Sequence, residues 1–102
     1  LVISRSGAIT LGEIEAAGKA SILIPSPNVS ENHQYHNAMV LGKDQAAVVL
    51  EEKDLTGERL IHEVQALTAH PETLIEYGRR ARKHAVLDAT QRMYQEIMTL
   101  LQ

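Results

Sequence analysis

The sequence predicts an α/β fold, in which three parallel strands alternate with helices in the order β-α-β-α-β-α-α-α. Three short apolar runs, residues 1–4, 20–24 and 46–50, lack polar alternation and are typical of strands buried on both faces of a parallel sheet. The segments between and after them carry apolar residues at helical spacing. Strands that alternate with helices imply parallel pairing through right-handed crossovers, so we expect an open parallel sheet.

Composition limits the class of protein. The 102 residues suffice for one domain, and 44% hydrophobic with 23% charged residues is ordinary for a folded globular chain. The net charge of −3 gives no indication of a nucleic-acid partner, and the lack of cysteine excludes disulfides and thiolate zinc sites. No apolar run approaches the roughly 20 residues of a membrane-spanning helix. A reducing cytoplasm is the expected compartment.

Two helices are predicted in the first half of the chain. The apolar residues of the first share one face: Leu11, Ile14 and Ala17. Gly18 is well placed to end this helix in a left-handed conformation. Residues 26–31 form a loop by composition, and the second helix is predicted over residues 32–41 with Gly42 closing it.

Three helices are predicted after the last strand. Thr56 is placed to cap the first, which carries apolar residues at helical spacing: Leu60, Ile61, Val64 and Leu67. Pro71 is expected at the first position of the next helix, which runs to about His84. Asp88, with Gln91 three residues later, is expected to cap the last. Its apolar stripe consists of Met93, Ile97, Leu100 and Leu101.

Residues 4–13 are the first candidate site, because they lead from a strand through Gly7 into a helix. The free N–H groups and the positive dipole end of such a helix N-terminus attract anions. Thr10 and Glu13 also fit a capping box, Thr-x-x-Glu, which local structure alone would explain. The residues leave both interpretations open.

A second loop, residues 25–34, is expected at the same edge of the sheet, where ligands bind in open α/β folds. It brings neutral hydrogen-bonding side chains to a helix start, Asn32-His33-Gln34 and then Asn37. Amides and an imidazole suit sugar hydroxyls, which both donate and accept hydrogen bonds. Together with the carboxylate of Glu13, this cluster would suit a nucleotide sugar.

The run SRSGAITLGEIEAAGKASILIPSPNVSENHQYHNA, residues 4–38, resembles the donor-site region of the MurG family. Its spacing is similar to that of nucleotide-sugar glycosyltransferases with two Rossmann-like domains: a small-residue turn, Ser/Thr-x-x-Glu, a later Gly and Pro, and Gln-x-x-Asn-Ala. The resemblance implies the C-terminal part of the donor domain of a GT-B type enzyme, with residues 1–102 as a single partial domain. The chain also opens within a predicted strand, so we expect a piece of a larger protein.

The MurG family converts lipid I to lipid II in peptidoglycan synthesis, transferring N-acetylglucosamine from UDP-N-acetylglucosamine with inversion and without a required metal ion or cofactor. The resemblance implies eight donor-binding residues: Gly7, Ala8, Ile9, Thr10, Glu13, His33, Gln34 and Asn37. Backbone N–H groups of the first four would line the diphosphate and sugar, and Glu13 would bind the ribose. Gln34 and Asn37 would hold the N-acetylglucosamine, while the role of His33 is less defined.

The same resemblance implies what the chain lacks. The acid/base groups and the lipid I site belong largely to an N-terminal domain, so no catalytic residue is expected here and the isolated chain is expected to be inactive. The implied location is cytoplasmic, peripheral on the inner face of the bacterial cell membrane. Two alternatives stay open: another glycosyltransferase that uses a UDP-sugar, and a non-catalytic α/β module whose motifs serve as caps and turns.

Three further features have competing interpretations. His33 and His36 could share a metal ion, but no third ligand at a suitable spacing is evident. The basic run Arg79, Arg80, Arg82 and Lys83 is predicted to be a solvated helix face, with attraction to an anionic membrane surface as the alternative. An open sheet edge and the apolar stripe of the last helix predict self-association.

Overall fold

A computed structural model describes residues 1–27 and 32–101. The described residues form three strands, Val2–Ser4 (β1), Ser21–Leu23 (β2) and Val48–Val49 (β3), paired in parallel in the order β1-β2-β3. They also form four α-helices, Ala8–Ala17 (α1), Asn32–Lys43 (α2), Gly57–Thr68 (α3) and Pro71–Leu100 (α4), and a 3₁₀ turn at Glu52–Asp54. The predicted class, three parallel strands with helices, is confirmed.

The core lies on both faces of the central strand. All three residues of β2 are buried, and Ile22 pairs with Ile3 of β1 and with Val48 of β3. On one face Leu23 packs in a cluster with residues of α1 and α2, among them Leu41. On the other face Ile22 packs with Leu67 of α3. The neighbouring residues of β2 therefore serve two separate clusters, as the alternation of side chains along a strand requires.

The burial predicted for β1 is wrong within this chain. Ile3 is 46% exposed and Leu1 is 44% exposed, whereas β2 is buried as predicted. The reason is position, because β1 is an edge strand of the described sheet. An apolar run predicts a strand that is suited to burial on both faces, but the strand is buried only where neighbouring elements pack on it.

The predicted helix ends are confirmed at Gly18 and Thr56 and wrong at Gly42. Gly18 ends α1 with φ 63°, and the Thr56 side chain accepts a hydrogen bond of 3.0 Å from the Arg59 N–H. Helix α2 continues through Gly42 to Lys43. Gly42 instead gives space for β3, since a Cβ at this position would lie 2.8 Å from Cγ2 of Val49.

The predicted boundary between two C-terminal helices at Asp88 is also wrong. Pro71 begins the helix as predicted, but α4 is continuous to Leu100, and Asp88 lies inside it. No glycine or proline occurs between His84 and Leu100, so no residue interrupts the helical hydrogen bonds. The Asp-x-x-Gln pattern is a cap only where the chain enters a helix from an extended conformation.

Helix α4 runs antiparallel to α1. Gly78 packs on Gly18, Nη1 of Arg82 donates a hydrogen bond of 2.7 Å to the Ala16 carbonyl, and Arg92 lines the same cavity as Gly12. These contacts progress from the C-terminal end of α1 towards its N-terminus. The second half of α4 therefore extends towards the carboxyl edge of the sheet.

The apolar side of α4 changes along the helix. Gly78 and Ala81 face the core and are buried. In the second half the exposed large apolar residues are Val86, Leu87, Met93, Tyr94, Ile97, Met98 and Leu100. At 3.6 residues per turn they spread over the sides of the helix that face away from Gly78 and Ala81, while Asp88 and Arg92 continue the core side. None of the helices in the described part of the chain is both long and apolar enough to cross a membrane.

Two carboxyl groups meet where α1 contacts α4. Glu15 is only 9% exposed. Burial raises its pKa, and the negative charge of Asp88 raises it further, against the lowering effect of His84 and Arg92. The folded chain therefore holds a proton on Glu15 more tightly than the unfolded chain does.

This raised pKa predicts that replacing Glu15 with glutamine stabilises the folded chain by an amount that depends on pH. Folding stability contributed by this group falls as pH rises above the unfolded value of 4.5. Glu15→Gln should therefore raise the melting temperature at about pH 8 and leave it nearly unchanged at about pH 4. Thermal unfolding at both values, with the exposed Glu13→Gln as the matched control, measures the effect. Equal gains at both pH values would contradict the assignment.

Candidate functional site

Two loops meet at the carboxyl ends of β1 and β2. Ser6, in the loop after β1, is fully buried, and its Oγ donates a hydrogen bond of 2.8 Å to the main-chain carbonyl of Gln34 in the first turn of α2. This bond joins the two loops that the sequence assigned to one site. The sheet edge where it lies is the usual position of ligands in open α/β folds.

The Gln34 side chain contacts the start of the second loop. Its Oε1 accepts a hydrogen bond of 3.1 Å from the N–H of Ser26, eight residues earlier. The loop predicted over residues 26–31 is described only at residues 26 and 27; residues 28–31 lie outside the described residues. Gln34 thus uses two of its polar groups within the protein.

Helix α1 begins one turn earlier than the capping-box interpretation requires. Gly7 is the N-cap, with extended φ −67° and ψ 153°, and no side chain caps the helix. Thr10 lies inside the helix with Glu13, so the interpretation of these residues as a capping box is wrong. The N–H of Leu11 bonds to the Gly7 carbonyl at 3.0 Å, and the preceding N–H groups of Ala8, Ile9 and Thr10 have no intrahelical acceptor.

The remaining predicted residues surround this edge with different exposure. Glu13 on α1 and His33 on α2 are exposed, and Asn37 is half-buried one turn after Gln34. Asn37 lines a cavity of about 300 Å³ between α1, α2 and α4. Among the described residues, no hydrogen bond joins Glu13 to Gln34 or to Asn37. The structure therefore links the loops through Ser6 and Gln34, and leaves the Glu13 carboxylate in solvent.

The two histidines at the start of α2 are both exposed. The ring of His36 packs edge-on against Tyr35, with a centroid distance of 5.7 Å, and His33 is exposed. Within residues 1–27 and 32–101, no three histidine, aspartate or glutamate residues are grouped as a metal site requires.

The basic run on α4 is only partly a solvated face. Arg82 caps the C-terminal end of α1 through the Ala16 carbonyl, and Nη1 of Arg80 donates a hydrogen bond of 3.2 Å to the carbonyl of Gln45. Arg79 pairs with Glu76 at 3.1 Å. Two of the four cations therefore hold α4 against the C-terminal end of α1 and the loop before β3, contacts that the sequence pattern did not indicate.

Sequence reasoning also missed Arg5, which connects all three strand ends. Its Nη1 lies 2.7 Å from a Glu52 carboxylate oxygen after β3 and 3.5 Å from the Ile24 carbonyl after β2. Arg5, Ser6 and Ser26 stand within or beside the motif that suggested a donor site. Their roles depend on residues distant in sequence, so spacing alone could not identify them.

The Ser6 bond predicts different outcomes for two buried serines. Ser6→Ala should lower the free energy of unfolding by about 1 kcal/mol, because a buried hydrogen bond is lost. Ser21 is equally buried, but its Oγ has no hydrogen-bond partner in the described part of the chain. Ser21→Ala should therefore be neutral or stabilising. Urea denaturation compares them, and equal losses would show that the Ser6 bond contributes nothing.

Comparisons with known proteins point to one family. Residues 1–93 match the family described as glycosyltransferase family 28 C-terminal domain. The chain is 46% identical over 100 residues to the UDP-N-acetylglucosamine–N-acetylmuramyl-(pentapeptide) pyrophosphoryl-undecaprenol N-acetylglucosamine transferase of Thermoanaerobacter sp. (strain X514), covering 98% of this chain and 28% of that protein. The Bacillus subtilis (strain 168) protein of the same name is 44% identical over 94 residues, 92% of this chain and 26% of its own length.

A solved structure supports the same relationship. The crystal structure of Acinetobacter baumannii MurG superposes with a TM-score of 0.79 at 32% identity, covering 96% of this chain and 30% of that chain. The chain thus spans less than a third of the length of the relatives that it matches. These comparisons confirm the resemblance stated from residues 4–38: the chain belongs to the MurG family and corresponds to its glycosyltransferase family 28 C-terminal domain.

Proposed function

We propose that this chain supplies half of the donor site of an enzyme that transfers N-acetylglucosamine from UDP-N-acetylglucosamine to lipid I, giving lipid II. The names of the relatives describe an N-acetylglucosamine transferase that acts on a pyrophosphoryl-undecaprenol acceptor. The observation that carries the proposal for this chain is the hydrogen bond from Ser6 to Gln34, since it joins the two predicted donor loops at one sheet edge.

The proposed site divides the donor among three groups of residues. The N–H groups of Gly7, Ala8, Ile9 and Thr10, at the start of α1, bind the diphosphate and stabilise its charge as it leaves, which needs no metal ion. Glu13 accepts hydrogen bonds from the ribose hydroxyls. Gln34 and Asn37 hold the sugar, with His33 beside them.

The remaining machinery lies outside residues 1–102 in this proposal. We assign the acid/base groups and the lipid I site to the part of the relatives' length that this chain does not span. The isolated chain, as one partial domain, is then inactive. The enzyme is peripheral on the inner face of the bacterial membrane, where an undecaprenol-linked acceptor is accessible.

We also propose that the isolated chain self-associates. The exposed apolar residues in the second half of α4 and the half-exposed strand β1 offer apolar surface and an unpaired strand edge. Sedimentation of the 11.3 kDa chain tests this directly. A monomer at all concentrations would contradict it.

A chimera tests the donor-site assignment. Residues 1–102 replace the matching segment of the Thermoanaerobacter protein, and binding of UDP-N-acetylglucosamine and formation of lipid II are measured. We expect the chimera to bind and transfer, and the isolated chain to do neither. A folded chimera that binds no donor would overturn the proposal and favour a non-catalytic module.

A further inference from the structure

The amide of Gln34 has only one orientation that satisfies its neighbour. A main-chain N–H can donate but not accept, so the atom of Gln34 that lies 3.1 Å from the Ser26 nitrogen must be the carbonyl oxygen, Oε1. The opposite orientation would place two donors against each other. The hydrogen-bond network therefore assigns the amide, as such groups require.

The main chain of Gln34 is fixed at the same time. Ser6 is fully buried, and its hydroxyl donates to the Gln34 carbonyl from a loop 28 residues earlier. Ser26 and Ser6 thus hold the side chain and the backbone of one residue from two different loops. What Ser26 leaves available on the Gln34 side chain is the pair of hydrogens on Nε2.

We propose that Gln34 presents its Nε2 hydrogens to the donor sugar, so that the sugar is recognised there through an acceptor oxygen, and that Ser6 and the Ser26 N–H are the positioning groups that set this polarity. The inference rests on the proposed donor site. An amide that rotates freely can bind either a donor or an acceptor on the sugar, whereas this amide can only donate and so binds only an acceptor. The site therefore favours sugars that carry an oxygen at this position over sugars that lack one.

Two variants of Gln34 separate the positioning contact from the sugar contact. Gln34→Glu keeps an oxygen for the Ser26 N–H but has no N–H group for the sugar. Gln34→Met has nearly the same length and offers neither. In the isolated chain, we expect the Ser26 amide proton to exchange with solvent as slowly in Gln34→Glu as in wild type, and at least about tenfold faster in Gln34→Met. Ser26→Ala retains the main-chain donor and should change nothing.

The sugar contact is measured in the chimera as the ratio of UDP-N-acetylglucosamine affinity to UDP affinity. UDP carries about one more negative charge than UDP-N-acetylglucosamine near neutral pH, so the uncharged Gln34→Met is the variant whose ratio contains no effect of an added charge. Gln34→Met should lower the ratio about five- to tenfold, as expected for one lost hydrogen bond. Ser6→Ala should lower the ratio without changing UDP affinity, which a merely structural role would not do.

The outcomes distinguish this inference from the proposed function. An unchanged ratio in Gln34→Met would show that the sugar needs no hydrogen bond here, and unchanged exchange of Ser26 in the same variant would show that the orienting bond is not made. Either result overturns the inference while the chimera still binds donor. If the wild-type chimera binds no donor, the proposed function fails, and the sugar contact fails with it.

Discussion

Replacement of Gly78 by alanine is expected to lower the free energy of unfolding by about 3 kcal/mol. A Cβ at this position would overlap the main-chain carbonyl oxygen of Gly18 and lie 3.1 Å from its carbonyl carbon and 3.6 Å from the Ala20 nitrogen. These are backbone atoms of the left-handed turn that joins α1 to β2, so they cannot move aside as a flexible side chain would. Urea denaturation of wild type and variant gives the difference.

Gly12→Ala is the matched control for this experiment. Gly12 is also a helical glycine, but no atom lies within 4 Å of a Cβ built there. Alanine should stabilise α1 by about 0.5–1 kcal/mol, because glycine has the greater conformational entropy in the unfolded chain. Opposite signs at the two positions are expected. A loss below about 1 kcal/mol for Gly78→Ala would mean that α4 can shift away from α1 at little cost.

Replacement of Glu13 by alanine is expected to lower the affinity of the chimera for UDP-N-acetylglucosamine about a hundredfold, since charge-assisted hydrogen bonds to two ribose hydroxyls would be lost. The melting temperature should hardly change, because Glu13 is exposed and caps no helix. Calorimetric titration and thermal unfolding of the same preparation give both values.

Glu15→Ala controls for the loss of a carboxylate from α1, since Glu15 faces Asp88 and Arg92 on α4. It should retain donor affinity. A lower melting temperature with unchanged donor affinity in Glu13→Ala would withdraw Glu13 from the site and leave it a helix-stabilising residue.

The features that the sequence predicted correctly are mostly local ones. Gly18 ends α1 and Thr56 caps α3 because each signal and its hydrogen-bond partner lie within one helical turn. Thr10 failed under the same reasoning, since Thr-x-x-Glu is equally compatible with the interior of a helix that begins at Ala8. Residue type identifies candidates for the N-cap, but the position where the chain leaves β1 and enters the helix determines which residue is the N-cap.

In the candidate site, too, local features were predictable and contacts between distant residues were not. The residue types at the two loops were predictable, because a helix N-terminus and a cluster of amides have recognisable sequences. The bond between Ser6 and Gln34 spans 28 positions, and the role of Arg5 spans 47. Such contacts depend on the register of the parallel strands. The sequence predicts parallel pairing but not which residues pair with each other.

The change of apolar side along α4 divides this single helix between two cooperative units of unfolding. Residues near Gly78 and Ala81 are buried against α1, so they can open only when the domain itself unfolds. The turns beyond Arg92 are exposed on all sides and contribute nothing to the core, so they can melt alone. A partner that covers Ile97 and Leu100 would therefore order these terminal turns without disturbing the part of α4 that packs on α1.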